Sequence, residues 1–167
     1  ASVNLANERG AFPNYEKSIY AKKNLKLRNA TVNTVAPTGT ISIIAGVSSG
    51  IEPLFGISFM RNVLSGAELL EINPLFEAHA KAGGFYSKET LAEVARAGSL
   101  RNITGIPKEI KRLFVTTFDV SVKQHLLIQA AFQKYTDNSV SKTINLPPEA
   151  SVEDARRIYL DAYALKC

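Results

Sequence analysis

Small hydroxyl residues and a glycine gather in one short stretch of this 167-residue chain, which reads Ala-Pro-Thr-Gly-Thr-Ile-Ser over residues 36–42. The β-branched, alternating segment 31–36 predicts a strand before it, and a short helix is predicted after the Thr-Gly-Thr turn. A helix that starts at such a turn presents unpaired backbone N–H groups and the positive end of its dipole. The anion that suits this arrangement is phosphate or diphosphate.

Five consecutive residues are therefore candidate phosphate ligands: Thr38, Gly39, Thr40, Ile41 and Ser42. Their hydroxyls and amides can donate hydrogen bonds, and the glycine lets a ligand approach the backbone closely. The sequence contains neither G-x-x-x-x-G-K-[ST] nor G-x-G-x-x-G, which excludes a P-loop NTPase and a dinucleotide fingerprint. Because Thr, Gly and Ser are also common in ordinary turns, composition alone leaves a plain strand-to-helix connection open.

A second group of polar residues lies on the strand predicted over residues 139–146. Ser141, Thr143 and Asn145 are expected to share one face of it, with Lys142 on the other. That face could form an active-site wall, and a plain polar strand face fits the pattern equally well. Glu52 is expected to anchor its loop through backbone N–H groups, because a carboxylate would repel a phosphate ligand.

A polar stripe is predicted on the helix over residues 121–136. His125, Gln129 and Gln133 stand four residues apart and so share one face. Contact of this face with solvent or another element is favoured over a hydrogen-bonding stripe beside a cofactor. No second histidine or carboxylate stands at ligand spacing from His125, so no metal site is predicted.

The remaining pattern predicts the elements that must position these residues. Residues 1–29 are expected to be irregular with one short helix, and a second strand is expected over 56–64. A helix is predicted from about residue 67; it starts again at Asn73-Pro74 and is stopped by Gly83-Gly84. A second helix is predicted over residues 87–97. The last one is predicted from Ser151, which forms a capping box with Asp154. Strands alternating with helices predict an α/β fold with parallel strands.

Composition narrows the class of protein. Hydrophobic residues make up 46% and charged residues 21%, which is typical of a globular domain. The net charge of +5 could attract any polyanion, but nucleic-acid binding is disfavoured because no recognition motif is present. The single cysteine, Cys167, excludes an internal disulfide and is typical of the cytoplasm. No apolar run approaches the roughly 20 residues that span a bilayer, so no membrane partner is expected.

Several ordered blocks resemble a known family. Pro-Thr-Gly-Thr-Ile-Ser at 37–42, Ser-Ser-Gly-Ile-Glu-Pro at 48–53 and Arg-Asn-Val-Leu-Ser-Gly at 61–66 resemble ribonucleotide reductase large subunits, as do residues 7–12 and 28–31. The segments 129–138 and 141–147 resemble the cobalamin-dependent class in particular. The middle of the chain, about 78–112, is less distinctive.

The resemblance implies a fold and an activity. The chain would be a single partial domain over residues 1–167, the later strands and helices of a ten-stranded α/β barrel. The parent enzyme would use adenosylcobalamin and thiyl-radical chemistry to make deoxyribonucleotides for DNA replication. Carried over by position, Thr38 to Ser42 would grip the phosphates of a ribonucleoside di- or triphosphate. The remainder of the same subunit would be the protein partner.

The residues that perform the family's radical step are missing from this sequence. It has no Asn-x-Cys-x-Glu motif and no pair of reducing cysteines, and Cys167 is interpreted as a structural or incidental thiol. We therefore expect a segment cut from a longer protein, with no catalytic residue, no cofactor of its own and no activity alone. Unpaired strand edges would favour self-association. The alternatives are a non-catalytic nucleotide-phosphate-binding module and, less favoured, a basic nucleic-acid-binding domain.

Overall fold

The computed structural model describes residues 1–62 and 68–167, and helices form most of its regular structure. In chain order the elements are α1 (Ser2–Arg9), a 3-10 helix (Tyr15–Lys17), α2 (Ile19–Lys22), α3 (Gly39–Ala45), β1 (Ser58–Asn62), β2 (Glu68–Ile72), α4 (Pro74–Ala82), α5 (Lys88–Ala97), α6 (Lys108–Leu113), α7 (Val122–Gln133) and α8 (Val152–Ala164). The first 29 residues thus hold two short α-helices and a 3-10 helix, where one short helix was predicted.

The main hydrophobic core lies in the middle of the chain. Helix α4 contributes Phe76 and Ala80, and α5 contributes Leu91 and Val94, each pair on one helical face. The other buried members are Ile57, Leu100, Ile103, Ile106 and Phe114. The segment whose sequence resembles the family least therefore supplies most of the core.

One antiparallel pair of strands packs on this core. Ser58 of β1 lies opposite Ile72 of β2, and α5 contacts β1. The predicted strand over 56–64 is confirmed for β1, while its last two positions lie outside the described residues. The helix predicted from about residue 67 is wrong: residue 67 is not described, and 68–72 form β2. There Leu70 and Ile72, two residues apart, both pack on the core, and pairing with β1 overrides helix propensity.

The two parallel strands predicted at 31–36 and 139–146 meet at a single bridge. Val35 and Val140 pair in parallel; the Val35 N–H donates to Ser139 O at 3.3 Å, and the Ser141 N–H donates to Val35 O at 2.7 Å. Regular strands at these positions were a wrong prediction. The predicted strand at 56–64 pairs antiparallel with β2, so in the described residues parallel pairing is limited to isolated bridges and the predicted fold of parallel strands is not seen there. Parallel strands are stabilised by neighbours on both sides, and in the described part of the chain these two segments pair only with each other. A second parallel bridge joins Leu54 to Thr116.

The predicted helix starts are confirmed at four positions. The side chains of Asn73, Ser87, Ser121 and Ser151 each accept a backbone N–H at the start of α4, α5, α7 and α8. Ser151 and Asp154 complete a capping box. Helix α7 ends at Gln133, three residues earlier than predicted. Among residues 1–62 and 68–167, no helix combines the length and apolar character that a bilayer crossing requires.

Candidate phosphate-binding site

The first turn of α3 presents unpaired backbone donors. Thr38 is the N-cap, and its carbonyl accepts the Ser42 N–H at 2.9 Å. The amides of Gly39, Thr40 and Ile41 make no hydrogen bond to any residue that the structure describes. All three residues are exposed. The start of α3 can therefore donate three consecutive N–H groups to an external acceptor.

The hydroxyls of the same turn are used differently from the amides. Thr38 Oγ1 lies 3.0 Å from Ser49 Oγ instead of capping its own helix. Ser42 is buried, and its Oγ donates to Gly39 O at 2.7 Å. Of the three predicted hydroxyl ligands, only that of Thr40 makes no hydrogen bond within the described residues. Thr38 and Ser42 hold the turn in shape.

The turn after α3 folds back beneath the phosphate-ligand candidates. Gly46, in the left-handed region at φ 64°, ends the helix. Gly50, at φ +50°, lies beside the start of the Thr38–Ser42 turn: a Cβ at residue 50 would be in ordinary contact with Val35 Cγ1 at 3.6 Å and Thr38 Oγ1 at 3.7 Å. The Glu52 N–H closes this turn on Ser49 O at 2.9 Å.

Glu52 joins this turn to the segment 139–146. One carboxylate oxygen accepts the Thr143 N–H at 2.6 Å, and the other binds Lys142 Nζ at 2.5 Å. The predicted anchoring of the loop through backbone N–H groups is confirmed. The side chain of Lys142 is fully buried, a feature that alternation along a polar strand did not predict.

A cavity of about 540 Å³ opens beside the C-terminal half of α3. Its polar lining residues are Ser48, Ser49, Glu52, Thr117, Thr143 and Asn145, and its apolar ones include Ile43, Val47, Phe55 and Phe59. The predicted wall residues Thr143 and Asn145 thus share one cavity, and the Thr117 hydroxyl donates to Asn145 Oδ1 at 3.0 Å. Ser141 is not part of this lining.

The phosphate-ligand candidates lie elsewhere. Thr38, Gly39, Thr40, Ile41 and Ser42 are not part of the lining of this cavity, and Ser42 borders a neighbouring one. The structure therefore brings the wall residues to the side of α3 and not in front of its first turn. Ser48 and Ser49 were quoted in the family-like motif without a role, and no sequence signal pointed to Thr117.

The polar stripe of α7 faces another element, as favoured from the sequence. His125 is 1% exposed, with Nε2 3.2 Å from Thr117 O, while its buried Nδ1 has no hydrogen-bond partner in the part of the chain that the structure describes. Gln129 Nε2 donates to Val140 O at 3.4 Å, and Gln133 Nε2 to Asn138 O at 2.9 Å. The stripe holds the segment 136–140 against α7.

Comparison with known proteins decides the family. The family pattern described as ribonucleotide reductase, barrel domain, matches residues 26–167. The chain belongs to the ribonucleotide reductase family. Of the motif at 61–66, residues 63–66 lie outside the described residues.

Relatives of this reductase chain are much longer than it is. It is 50% identical over its whole length to the vitamin B12-dependent ribonucleoside-diphosphate reductase of Thermoplasma acidophilum, covering 22% of that protein. It is 46% identical over 99% of its length to the protein of that name from Mycobacterium tuberculosis CDC 1551, covering 24% of it. The class Id ribonucleotide reductase alpha subunit of Actinobacillus ureae matches 98% of the chain with 26% identity and a TM-score of 0.77, over 28% of that subunit. The chain thus spans about a quarter of these relatives.

The described residues of the reductase chain form no metal cluster: no group of three or more His, Cys, Asp or Glu side chains stands at binding distance. Cys167 is exposed just after α8, so it does not pack in the core, and partial burial of its thiol raises the pKa above its usual value. Neither feature points to a catalytic group.

Proposed function

We propose that this chain binds the substrate's phosphate groups within a ribonucleotide reductase large subunit that reduces ribonucleoside diphosphates to deoxyribonucleotides. Membership of the family supports the reaction class, and the two relatives at 50% and 46% identity support a diphosphate substrate and a vitamin B12 cofactor. Residues 1–167 would form one partial domain, the later strands and helices of a ten-stranded barrel. The remainder of the subunit would supply the other strands and the thiyl radical.

The observation that carries the proposal is the row of three amides at the exposed residues Gly39, Thr40 and Ile41, which make no hydrogen bond to a described residue. The aligned peptide dipoles place roughly half a positive charge at the start of a helix. Hydrogen bonds from N–H groups to an anionic oxygen are about twice as strong as those between neutral groups. Three amides and the Thr40 hydroxyl would therefore hold a diphosphate, with Thr38 and Ser42 keeping the turn in shape.

Phosphate binding of this kind contributes to catalysis by positioning. Fixing the diphosphate determines where the ribose lies relative to the reacting groups, which converts part of the binding energy into orientation. The polar residues Thr143 and Asn145 would form part of the surrounding wall. The barrel partners proposed above would close the space in front of α3.

The residues present do not fit the cobalamin that the relatives' names imply. His125 is buried, and its Nε2 faces the Thr117 carbonyl, so it is closed to a cobalt ion. His79 lies on α4 beside Phe114, with ring centroids 5.7 Å apart, and no cluster of metal-ligating side chains surrounds it among the described residues. No step of the proposal passes through a cofactor held by these residues.

Substitution of Gly39 by alanine tests the phosphate-binding role. A Cβ at Gly39 would meet nothing within 4 Å, and the residue is not in the left-handed region, so the fold does not need glycine there. Gly39→Ala should keep or slightly raise the melting temperature, by reducing the entropy of the unfolded chain. In the complete subunit it should weaken nucleoside-diphosphate binding about tenfold, because the methyl group occupies the space that the phosphate approaches.

Gly98 provides the matched control. It ends α5 in the left-handed region at φ 66°, where alanine costs about 1 kcal/mol. Gly98→Ala should lower the melting temperature while leaving nucleotide affinity unchanged. Wild-type affinity in the Gly39→Ala subunit, measured by isothermal titration, would show that the α3 amides do not hold the phosphates.

A further inference from the structure

Three segments that are distant in the sequence meet behind the phosphate-binding turn: residues 33–38, 48–53 and 139–145. From their contacts we infer that the ion pair of Glu52 and Lys142 is a positioning pair, which sets the place of the α3 amides for the diphosphate. This inference rests on the proposed function and deepens it. Neither residue has a place among the proposed phosphate ligands.

The environment of Lys142 shows why the pair has this importance. Its side chain is 0% exposed, whereas the lysine and arginine side chains of the other described ion pairs are 58–64% exposed. The ammonium binds Glu52 Oε2 and Thr143 O, each at 2.5 Å. Burying an ammonium is costly unless it is paired and hydrogen-bonded. Residues 142 and 143 are therefore held to Glu52.

A short relay of hydrogen bonds links Glu52 to the start of α3. The Glu52 N–H donates to Ser49 O at 2.9 Å, and Ser49 Oγ lies 3.0 Å from the hydroxyl of Thr38, the N-cap residue. From the other side, the Ser141 N–H donates to Val35 O at 2.7 Å. A shift between Glu52 and Thr143 would consequently move Val35 and Thr38, which lead into the phosphate-binding turn.

The expected kinetic effect follows from where the phosphates lie in the reaction. They are remote from the reacting ribose, and part of their binding energy orients it for the reaction. Loss of phosphate contacts therefore raises KM and also lowers kcat, because the ribose is no longer held in the reacting position. A merely structural role would lower the amount of active enzyme without changing KM.

Two double variants of the complete subunit separate anchoring from charge. In E52Q/K142M both charges are gone, but the glutamine carbonyl still accepts the Thr143 N–H. In E52A/K142M that acceptor is gone as well. We expect E52Q/K142M to keep KM and kcat for ribonucleoside diphosphate within about twofold of wild type, and E52A/K142M to raise KM about tenfold and to lower kcat.

Ser49→Ala cuts the same relay without disturbing the buried pair, and should also raise KM several-fold even if E52A/K142M does not fold. Val94→Ala, which truncates a core residue of α5, should lower thermal stability and leave KM unchanged. Equal KM values for the two double variants, or an unchanged KM in Ser49→Ala, would overturn the inference.

Equilibrium binding of the same nucleotide, measured without turnover, keeps this test separate from the proposed function. If the wild-type subunit binds the nucleotide but reduces none, the proposed reaction fails, and the affinities of the variants still decide the positioning role. The dissociation constants should change in the same proportion as KM. Dissociation constants that do not differ among wild type, both double variants and Ser49→Ala would contradict the positioning pair.

Discussion

Asp119 shows how one side chain can tie two parts of this chain together. One carboxylate oxygen accepts the Ser99 hydroxyl at 2.6 Å, and the other accepts the N–H and hydroxyl of Thr116, both at 3.0 Å. Burial of Asp119 favours its neutral form, but these hydrogen bonds and the charge of Arg101 outweigh burial and lower its pKa below the usual 3.8. The ionised carboxylate thus holds Ser99, in the loop after α5, close to Thr116. Thr116 directly precedes Thr117, which lines the cavity beside α3.

Because the folded-state pKa of Asp119 is lowered, its contribution to stability is present above the unfolded-state pKa and is lost as pH falls through the folded-state value. Asp119→Asn should be less stable than the wild type at neutral pH, and the difference in the free energy of unfolding should shrink below about pH 3.8. Urea unfolding across a pH series measures this. Glu153→Gln, in an exposed pair with Arg156, should change stability little at any pH. A constant difference for Asp119→Asn would contradict the assignment.

At the scale of elements, similar helix caps support helices in very different surroundings. Ser87 accepts the Thr90 N–H at 3.1 Å and starts α5, which buries Leu91 and Val94 in the core. Ser151 accepts the Asp154 N–H at 3.2 Å and starts α8, which has no buried residue. The same kind of hydrogen bond should therefore have a global effect in α5 and a local one in α8.

Ser87→Ala should lower the free energy of global unfolding by about 1 kcal/mol, the usual cost of losing an N-cap. Ser151→Ala should leave the global value nearly unchanged and speed hydrogen exchange only at the amides of α8. Denaturant unfolding and residue-resolved hydrogen exchange measure the two effects. Equal losses of global stability would show that α8 unfolds together with the core.

At the scale of the whole molecule, large apolar side chains remain uncovered. On α3, Ile41, Ile43 and Ile44 are 68–81% exposed, and on α8 Tyr159 and Tyr163 are about 80% exposed. Apolar surface of this extent is typical of an interaction site. The exposure of these side chains agrees with the length of the chain, which spans about a quarter of its relatives. The remainder of the proposed subunit would cover them.

Expressed alone, the chain should self-associate through these surfaces, with a sedimentation coefficient that rises with protein concentration. It should form no deoxyribonucleotide from any ribonucleotide, because its one cysteine cannot provide both a radical and a reducing pair. Analytical ultracentrifugation and product chromatography check the two expectations. A monomer that reduces ribonucleotides would refute the proposed division of roles within the subunit.

Much of the helical structure could be predicted because its signals are local. Asn73 before Pro74, Ser87 before α5 and the Ser151–Asp154 box specify helix starts through bonds to residues three positions away or fewer. The turn at Thr38–Ser42 was predicted for the same reason, since a helix start leaves its first amides unpaired in any surroundings. The family likeness, which needs only the order of residues, was also within reach of the sequence.

The tertiary structure alone decided the features that depend on distant partners. Glu68–Ile72 forms a strand because β1 lies beside it, although its residue types also suit a helix. Lys142 can be buried because Glu52, ninety positions away, pairs with its ammonium group. Thr143 and Asn145 line a cavity beside α3 and not the space in front of its first turn. Side-chain alternation specifies which residues share a face, whereas only the packing of separate segments determines what that face meets.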